Sequence, residues 1–163
     1  MIFTIRLFTI ISWSLFIYGC SESSGVDYMD PSPQYGFATN KEVFAAQYST
    51  VSKQWAAPKN TLFAIPITVK NVSASAWSSQ TEDQPVQLSY HWYDLDKNVL
   101  VFEGRRTPLP NIVAPGQQQM INLHIDALPQ SGRYILQVTM VQEGVAWFEQ
   151  QYVTPLELQI NIN

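Results

Sequence analysis

A single cysteine in 163 residues rules out an intrachain disulfide and a thiolate metal cluster, so Cys20 needs an explanation other than pairing. Charge is scarce as well: 13% of residues are charged, and 9 basic residues stand against 13 acidic ones for a formal net charge of −4. That balance builds no basic surface, so neither nucleic acid nor an anionic lipid surface is an expected partner. Histidine is limited to His91 and His124, on separate segments with no further ligands at metal spacing. Both read as surface histidines, and no metal or other cofactor is expected. The sequence has no Gly-x-Ser-x-Gly elbow, no phosphate-cradling glycine loop and no His-Glu-x-x-His helix. No catalytic residue is therefore nominated, and the chain reads as a non-enzyme.

What is present begins with a leader. Arg6 precedes an uncharged run from Leu7 to Tyr18, the positive start and apolar middle of a secretory signal. The run is short of the about 20 apolar residues that a membrane-crossing helix needs, and Ser21, Glu22, Ser23 and Ser24 follow directly. Ile17-Tyr18-Gly19-Cys20 resembles the lipobox of bacterial lipoproteins. The resemblance implies cleavage before Cys20, thioether-linked diacylglycerol on its sulfur and a second acyl chain on the new amino terminus. Several chains give stable anchoring because each buried methylene contributes about 0.8 kcal/mol. Ser21 after the cysteine resembles the pattern for outer-membrane delivery. An uncleaved anchor with an incidental cysteine is the alternative, and it too places the domain outside the cytoplasm. The expected organisation is a signal peptide over 1–19, a lipidated flexible tether over 20–36 and one folded domain over 37–163.

The folded part is apolar enough to hold a core, since 46% of all residues are hydrophobic. Its pattern has period two, broken by Pro, Gly and Asn, which predicts an all-β sandwich. Phe63, Ile65, Ile67 and Val69 share one face of a strand. Pro66 lacks an N–H, and so predicts an edge or a bulge there. Val86, Leu88, Tyr90 and Trp92 alternate with Gln87, Ser89, His91 and Tyr93, which puts His91 on the solvated side. Asp94 to Asn98 supplies a turn into Val99–Phe102. Ile121, Leu123 and Ile125, then Tyr134, Leu136, Val138 and Met140, and finally Leu156, Leu158, Ile160 and Ile162 line further strands. Val145–Gln151 reads as extended, and Lys41–Thr50 as a first strand in preference to a short helix.

Trp92 in mid-strand and Gly132-Arg133-Tyr134-Ile135-Leu136 resemble the buried tryptophan and tyrosine corner of immunoglobulin-like domains, with Leu136 where antibody domains carry cysteine. The expected fold is thus an immunoglobulin-like antiparallel β-sandwich of about seven to nine strands. A closer resemblance runs through Val69-Lys70-Asn71, Trp77, Leu88-Ser89-Tyr90-His91-Trp92, Glu103-Gly104-Arg105-Arg106, Ala114-Pro115-Gly116 and Glu143-Gly144-Val145-Ala146-Trp147-Phe148. These segments resemble an Ig-like module of bacterial surface-polysaccharide proteins and, more distantly, the four-tryptophan domain of a selective-autophagy receptor. The resemblance implies an accessory role and leaves the ligand open.

Candidate contact residues are Trp77, Arg105, Arg106, Glu143, Trp147 and Phe148. An exposed aromatic stacks on a sugar face or anchors an interface. One of the adjacent pair Trp147 and Phe148 must face outward if their strand is regular. Glu103, Arg105, Arg106 and Glu143 interrupt apolar strand sequence, which points to Arg–carboxylate pairing between strands or to a polar floor under a ligand groove. The expected role is a lipid-anchored envelope module that engages a surface polysaccharide or an envelope protein. Assembly through a sheet edge is the alternative, and an envelope hydrolase using Glu103 and Glu143 is the remote one. The expected location is the bacterial cell envelope, facing the periplasm or the surface.

Overall fold

Alternation builds the first layer. In β3 (Leu62–Asn71) the side chains of Ile65, Ile67 and Val69 are fully buried. Ile65 lies opposite Leu123 and Ile67 opposite Ile121 on the antiparallel strand β7 (Gln118–Asp126). The short β1 (Ala46–Ser49) pairs with the other side of β3, giving a three-stranded sheet in the order β1-β3-β7. Lys41–Thr50 therefore resolves as a strand over its second half.

This computed structural model describes residues 42–163, which belong to a unit spanning Tyr35–Asn163. The segments expected to be a signal peptide and a tether, with Cys20 between them, lie outside the described residues. Facing the first sheet is a larger one in the order β2-β10-β8-β4-β5, built from β2 (Gln54–Ala57), β4 (Val86–Tyr93), β5 (Val99–Val101), β8 (Gly132–Gln142) and β10 (Leu156–Ile162). Two short strands join it: β6 (Thr107–Pro108) on β4 and β9 (Ala146–Trp147) on β8. All pairings are antiparallel except β2 with β10. The result is the expected immunoglobulin-like β-sandwich. The ten strands among the described residues exceed the expected number through the two-residue β6 and β9.

The core lies between the sheets, where Trp92, Leu88, Tyr90, Leu136, Val138 and Leu158 meet Ile65, Ile67, Leu123 and Ile125. Burial of each such side chain contributes about 1.5–3 kcal/mol. Tyr90 and Trp92 also tie the layers together through one residue of β7. The Asp126 N–H donates to Tyr90 Oη at 3.0 Å, and Trp92 Nε1 donates to the Asp126 carbonyl at 3.2 Å. The tyrosine corner is present, with Tyr134 Oη donating to the Gln130 carbonyl at 3.2 Å. Buried Asn71 is satisfied on both sides of its amide: Nδ2 donates to Ser75 and Val113, and Oδ1 accepts from Ser73.

Pro66 sits in the centre strand of its sheet, yet the expectation of a local edge holds. The β1 ladder ends at Ser49 opposite Thr68, and the Pro66 carbonyl instead accepts from the Thr50 hydroxyl at 2.9 Å.

The segment Val145–Gln151 departs from expectation. Only Ala146–Trp147 is strand, and Phe148–Gln151 forms a 3-10 turn. The turn lets Phe148 swing into the core, where its ring meets Phe44 at 5.0 Å and Trp77 at 5.6 Å, both edge-on. The turn stops at Tyr152, whose φ of 63° is left-handed.

Candidate functional site on the outer face of the larger sheet

Period-two alternation assigns Ser89 and His91 of β4, and Thr139 and Val141 of β8, to the face turned away from the core. These residues are nevertheless buried. The cover comes from two segments that fold back over the sheet. The stretch Phe102–Arg106 after β5 is held by the Gly104 N–H donating to the Tyr90 carbonyl at 3.1 Å. The Ser89 hydroxyl reinforces it by donating to the carbonyls of Gly104 and Arg105, at 3.0 and 3.2 Å. Gly104 is required at this close approach, since a Cβ there would run into the Tyr90 carbonyl and ring. The second cover is β9 with its 3-10 turn, which lays Trp147 and Glu149 across β8 and β4.

His91 is the centre of this layer and is fully buried, which corrects its assignment to the surface. Its ring stacks on Phe102 at 4.3 Å and lies 4.3 Å from the Trp147 ring. Nδ1 meets the Phe102 carbonyl, which only accepts, so that nitrogen carries a proton. Nε2 lies 3.1 Å from Glu149 Oε1, while Glu149 Oε2 accepts from the Thr139 hydroxyl at 2.7 Å. Tyr48 of β1 extends this polar group from the other sheet. Burial pushes its phenol pKa up, with the Glu149 charge adding to the effect. Its Oη lies near Thr139 and the Met140 backbone but makes no hydrogen bond of good geometry.

Beside the histidine, Arg106 joins the charged candidates. Its Nε donates to Glu143 at 2.7 Å, Nη2 to Glu103 at 2.5 Å and Nη1 to the Gly104 carbonyl at 2.8 Å. The guanidinium also lies 4.5 Å over the Trp147 ring, a cation–π contact. Partial burial opposes its charge, and the two carboxylates override that and raise its pKa. These residues rim a shallow recess of about 240 Å³ together with Gln142 and Gln150. Glu103 and Glu143 do converge, but onto one arginine.

The six candidates thus divide. Arg106, Glu143 and Trp147 come together, with the Arg–carboxylate pairing made by residues just outside β6 and β8 rather than between strands. Arg105 points elsewhere, to a half-exposed two-pronged pair with Asp126 at 2.9 and 2.7 Å. Trp77 and Phe148 are corrected outright. Both have no exposed surface, and they pack against each other in the core because Trp77 pairs with Val113 in a β-bridge and donates from Nε1 to the Val43 carbonyl at 2.9 Å. Trp147 is 6% exposed and serves as the floor of the recess. Neither member of the adjacent aromatic pair faces solvent, because the backbone leaves strand geometry between them. Glu149, Thr139, Phe102 and Tyr48 were missed. The only signal for them was the acidic residue directly after two aromatics.

Among the described residues no cluster of three or more His, Cys, Asp or Glu side chains is placed to hold a metal ion, and no helix is long and apolar enough to cross a membrane. No family model matches the chain. No curated protein matches it either. Solved structures similar to it include the CARDB domain of a Pyrococcus furiosus protein, at 10% identity and a TM-score of 0.42 over 72% of this chain and 92% of that one. The sporulation control protein Spo0M of Bacillus subtilis is similar at 11% identity and a TM-score of 0.37, over 73% of this chain and 49% of that one. A family 123 glycoside hydrolase from Clostridium perfringens is similar at 9% identity and a TM-score of 0.35, with this chain spanning 27% of its length.

Proposed function

We propose that this chain is a lipid-anchored cell-envelope module that binds an envelope polysaccharide or protein and carries out no catalytic step. The observation that carries this reading is the second layer on the larger sheet. His91, Phe102, Trp147 and Val141 lie outside the main core cluster, so the sandwich closes without them. Of these, Val141 and Trp147 line the recess beneath a rim of exposed Glu103 and Val145, and a preformed floor holds contact groups at low entropic cost. The polar groups of the layer serve one another: Arg106 holds both candidate carboxylates, and Glu149 holds His91 and Thr139. That arrangement supports positioning rather than proton transfer. The tether reading rests on Ile17-Tyr18-Gly19-Cys20.

Two measurements test the proposal. Intact mass of membrane-extracted protein is expected to correspond to a chain beginning at acylated Cys20, and Cys20→Ser is expected to release the protein from membranes. A native chain that still begins at Met1 and stays in the soluble fraction overturns the anchor. Retention of the full chain on envelope polysaccharide and protein fractions is expected to fall in Glu103→Lys, which reverses the rim charge. Retention unchanged in that variant, or absent throughout, overturns the recess as the contact.

A second reading, assembly through a sheet edge, is favoured by β5, which ends the larger sheet.

A further inference from the structure

The second layer covers only one end of the larger sheet's outer face. Beyond His91 and Gln137, the next rows of neighbours are Tyr93, Ile135, Gln159 and Gln54, then Arg133, Asn161 and Ala56. Gln54, Arg133, Gln159 and Asn161 are exposed, while the alternate residues Trp55, Tyr134 and Ile160 pack on the core. The turn after β4 walls this corner. Asp94 accepts from the N–H groups of Asp96 and Asn98 at 2.9 and 2.8 Å, and Lys97 Nζ reaches over β8 to Glu157 of β10 at 2.5 Å. So held, the turn sets Leu95 beside a recess of about 310 Å³ that Gln54, Arg133, Gln159 and Asn161 also line. That volume is at the low end of the about 300–1,000 Å³ of small-molecule sites, and it fits one small ring.

Elsewhere on this face the polar side chains serve one another. Tyr93 donates to Gln137 at 3.3 Å, Lys97 pairs with Glu157, and Arg106 holds two carboxylates. At this corner, among the described residues, the side chains of Gln54, Arg133, Gln159 and Asn161 have no protein partner, and Arg133 is the one arginine without a carboxylate. Lys53, whose carbonyl accepts from the Gln159 N–H at 2.8 Å, adds a second cation without a carboxylate next to Gln54. A guanidinium takes a carboxylate by a two-pronged contact. A carboxamide both donates and accepts, which matches a hydroxyl group. The main-chain groups of β10 here are spent on β2 and β8, so nothing remains for the backbone pairing by which extended peptides bind.

We infer that this recess is a second contact site, for an acidic sugar unit whose carboxylate meets Arg133, whose hydroxyls meet Gln54, Gln159 and Asn161, and whose C–H face lies against Leu95. It is separate from the recess at Arg106 and stands whether or not that one binds.

Titration of the full chain with glucuronate, galacturonate, glucose and acetate tests it, followed by nuclear magnetic resonance at the side-chain N–H groups of Arg133, Gln54, Gln159 and Asn161. One of the two uronates is expected to shift these signals saturably. Glucose, which lacks the carboxylate, and acetate, which lacks the ring, are expected to bind at least about ten-fold more weakly. Arg133→Gln is expected to lower the uronate affinity at least about ten-fold, and Arg105→Gln, the same change of charge at a pair elsewhere, to leave it unchanged. The amide spectrum checks that each variant is folded. No saturable shift with either uronate overturns the site. Glucose bound as tightly as the uronates overturns the acidic class, and acetate bound as tightly overturns the sugar. Equal losses in Arg133→Gln and Arg105→Gln reduce the effect to net charge and overturn the recess. An aspartate-rich peptide that displaces the uronate at lower concentration makes the partner a protein and overturns the sugar as well.

Discussion

His91 Nε2 and Glu149 Oε1 lie 3.1 Å apart across 58 residues of sequence, and this pair holds the β9 turn against the outer face of β4. The histidine is fully buried and the glutamate is mostly so. A buried polar pair loses far more when one partner is removed than the intact pair contributes. Glu149→Ala is therefore expected to cost about 3 kcal/mol, read from urea unfolding, because His91 Nε2 loses its partner and the Thr139 hydroxyl keeps only the Met140 carbonyl at 3.4 Å. Glu149→Gln keeps an acceptor and should cost less than half as much. Equal losses for the two substitutions would show that packing, and not the pair, holds the turn.

The two arginines should separate cleanly. Arg106→Lys removes a fork that reaches two carboxylates and a carbonyl, along with the stacking on Trp147, and lysine replaces neither. A loss of about 1–2 kcal/mol is expected. Arg105→Lys alters a half-exposed pair and should leave the unfolding midpoint unchanged, since exposed pairs contribute little. Chemical denaturation of both variants side by side decides it.

Gly104 tests the cover over β4. Gly104→Ala drives a methyl group into the Tyr90 backbone and ring, and the expected cost is about 1–3 kcal/mol. The readout that locates the damage is hydrogen exchange at the Gly104 amide, whose bond to the Tyr90 carbonyl should open first. Unchanged protection at that amide would argue that the segment accommodates the methyl group.

Tyr48 gives a pH dependence of defined sign. Burial raises the phenol above its ordinary value of 10.0, so in the folded state it keeps its proton where the unfolded chain begins to lose it. Its contribution is fully present below the unfolded value and is lost as pH rises through the folded one. Tyr48→Phe removes a buried hydroxyl without a well-made hydrogen bond, so stability at neutral pH should be equal or higher. The alkaline loss of stability should shrink without vanishing, since burial raises Tyr90 and Tyr93 as well. Melting temperatures from neutral pH to pH 11 for the two proteins check this.

Alternation by itself determined the sandwich. Ile65, Ile67 and Val69, Leu88, Tyr90 and Trp92, and Leu158, Ile160 and Ile162 occupy the core faces their spacing assigns, because a strand exposes alternate side chains to the same neighbour whatever lies beyond it. That an arginine among Glu103, Arg105, Arg106 and Glu143 takes a carboxylate partner was legible too, since charges inside apolar sequence need partners, but which arginine takes which carboxylate was not. The residues that cover a sheet's second face were not legible, because period two says which side chains share a face but not whether another segment folds over it. Only tertiary structure decided that His91 is buried, that Trp77 and Phe148 belong to the core and that Trp147 is a floor. Each outcome depends on where the chain leaves strand geometry, at Gly104 and between Trp147 and Phe148. Contacts spanning as many as 58 residues select those departures, and no local pattern encodes them.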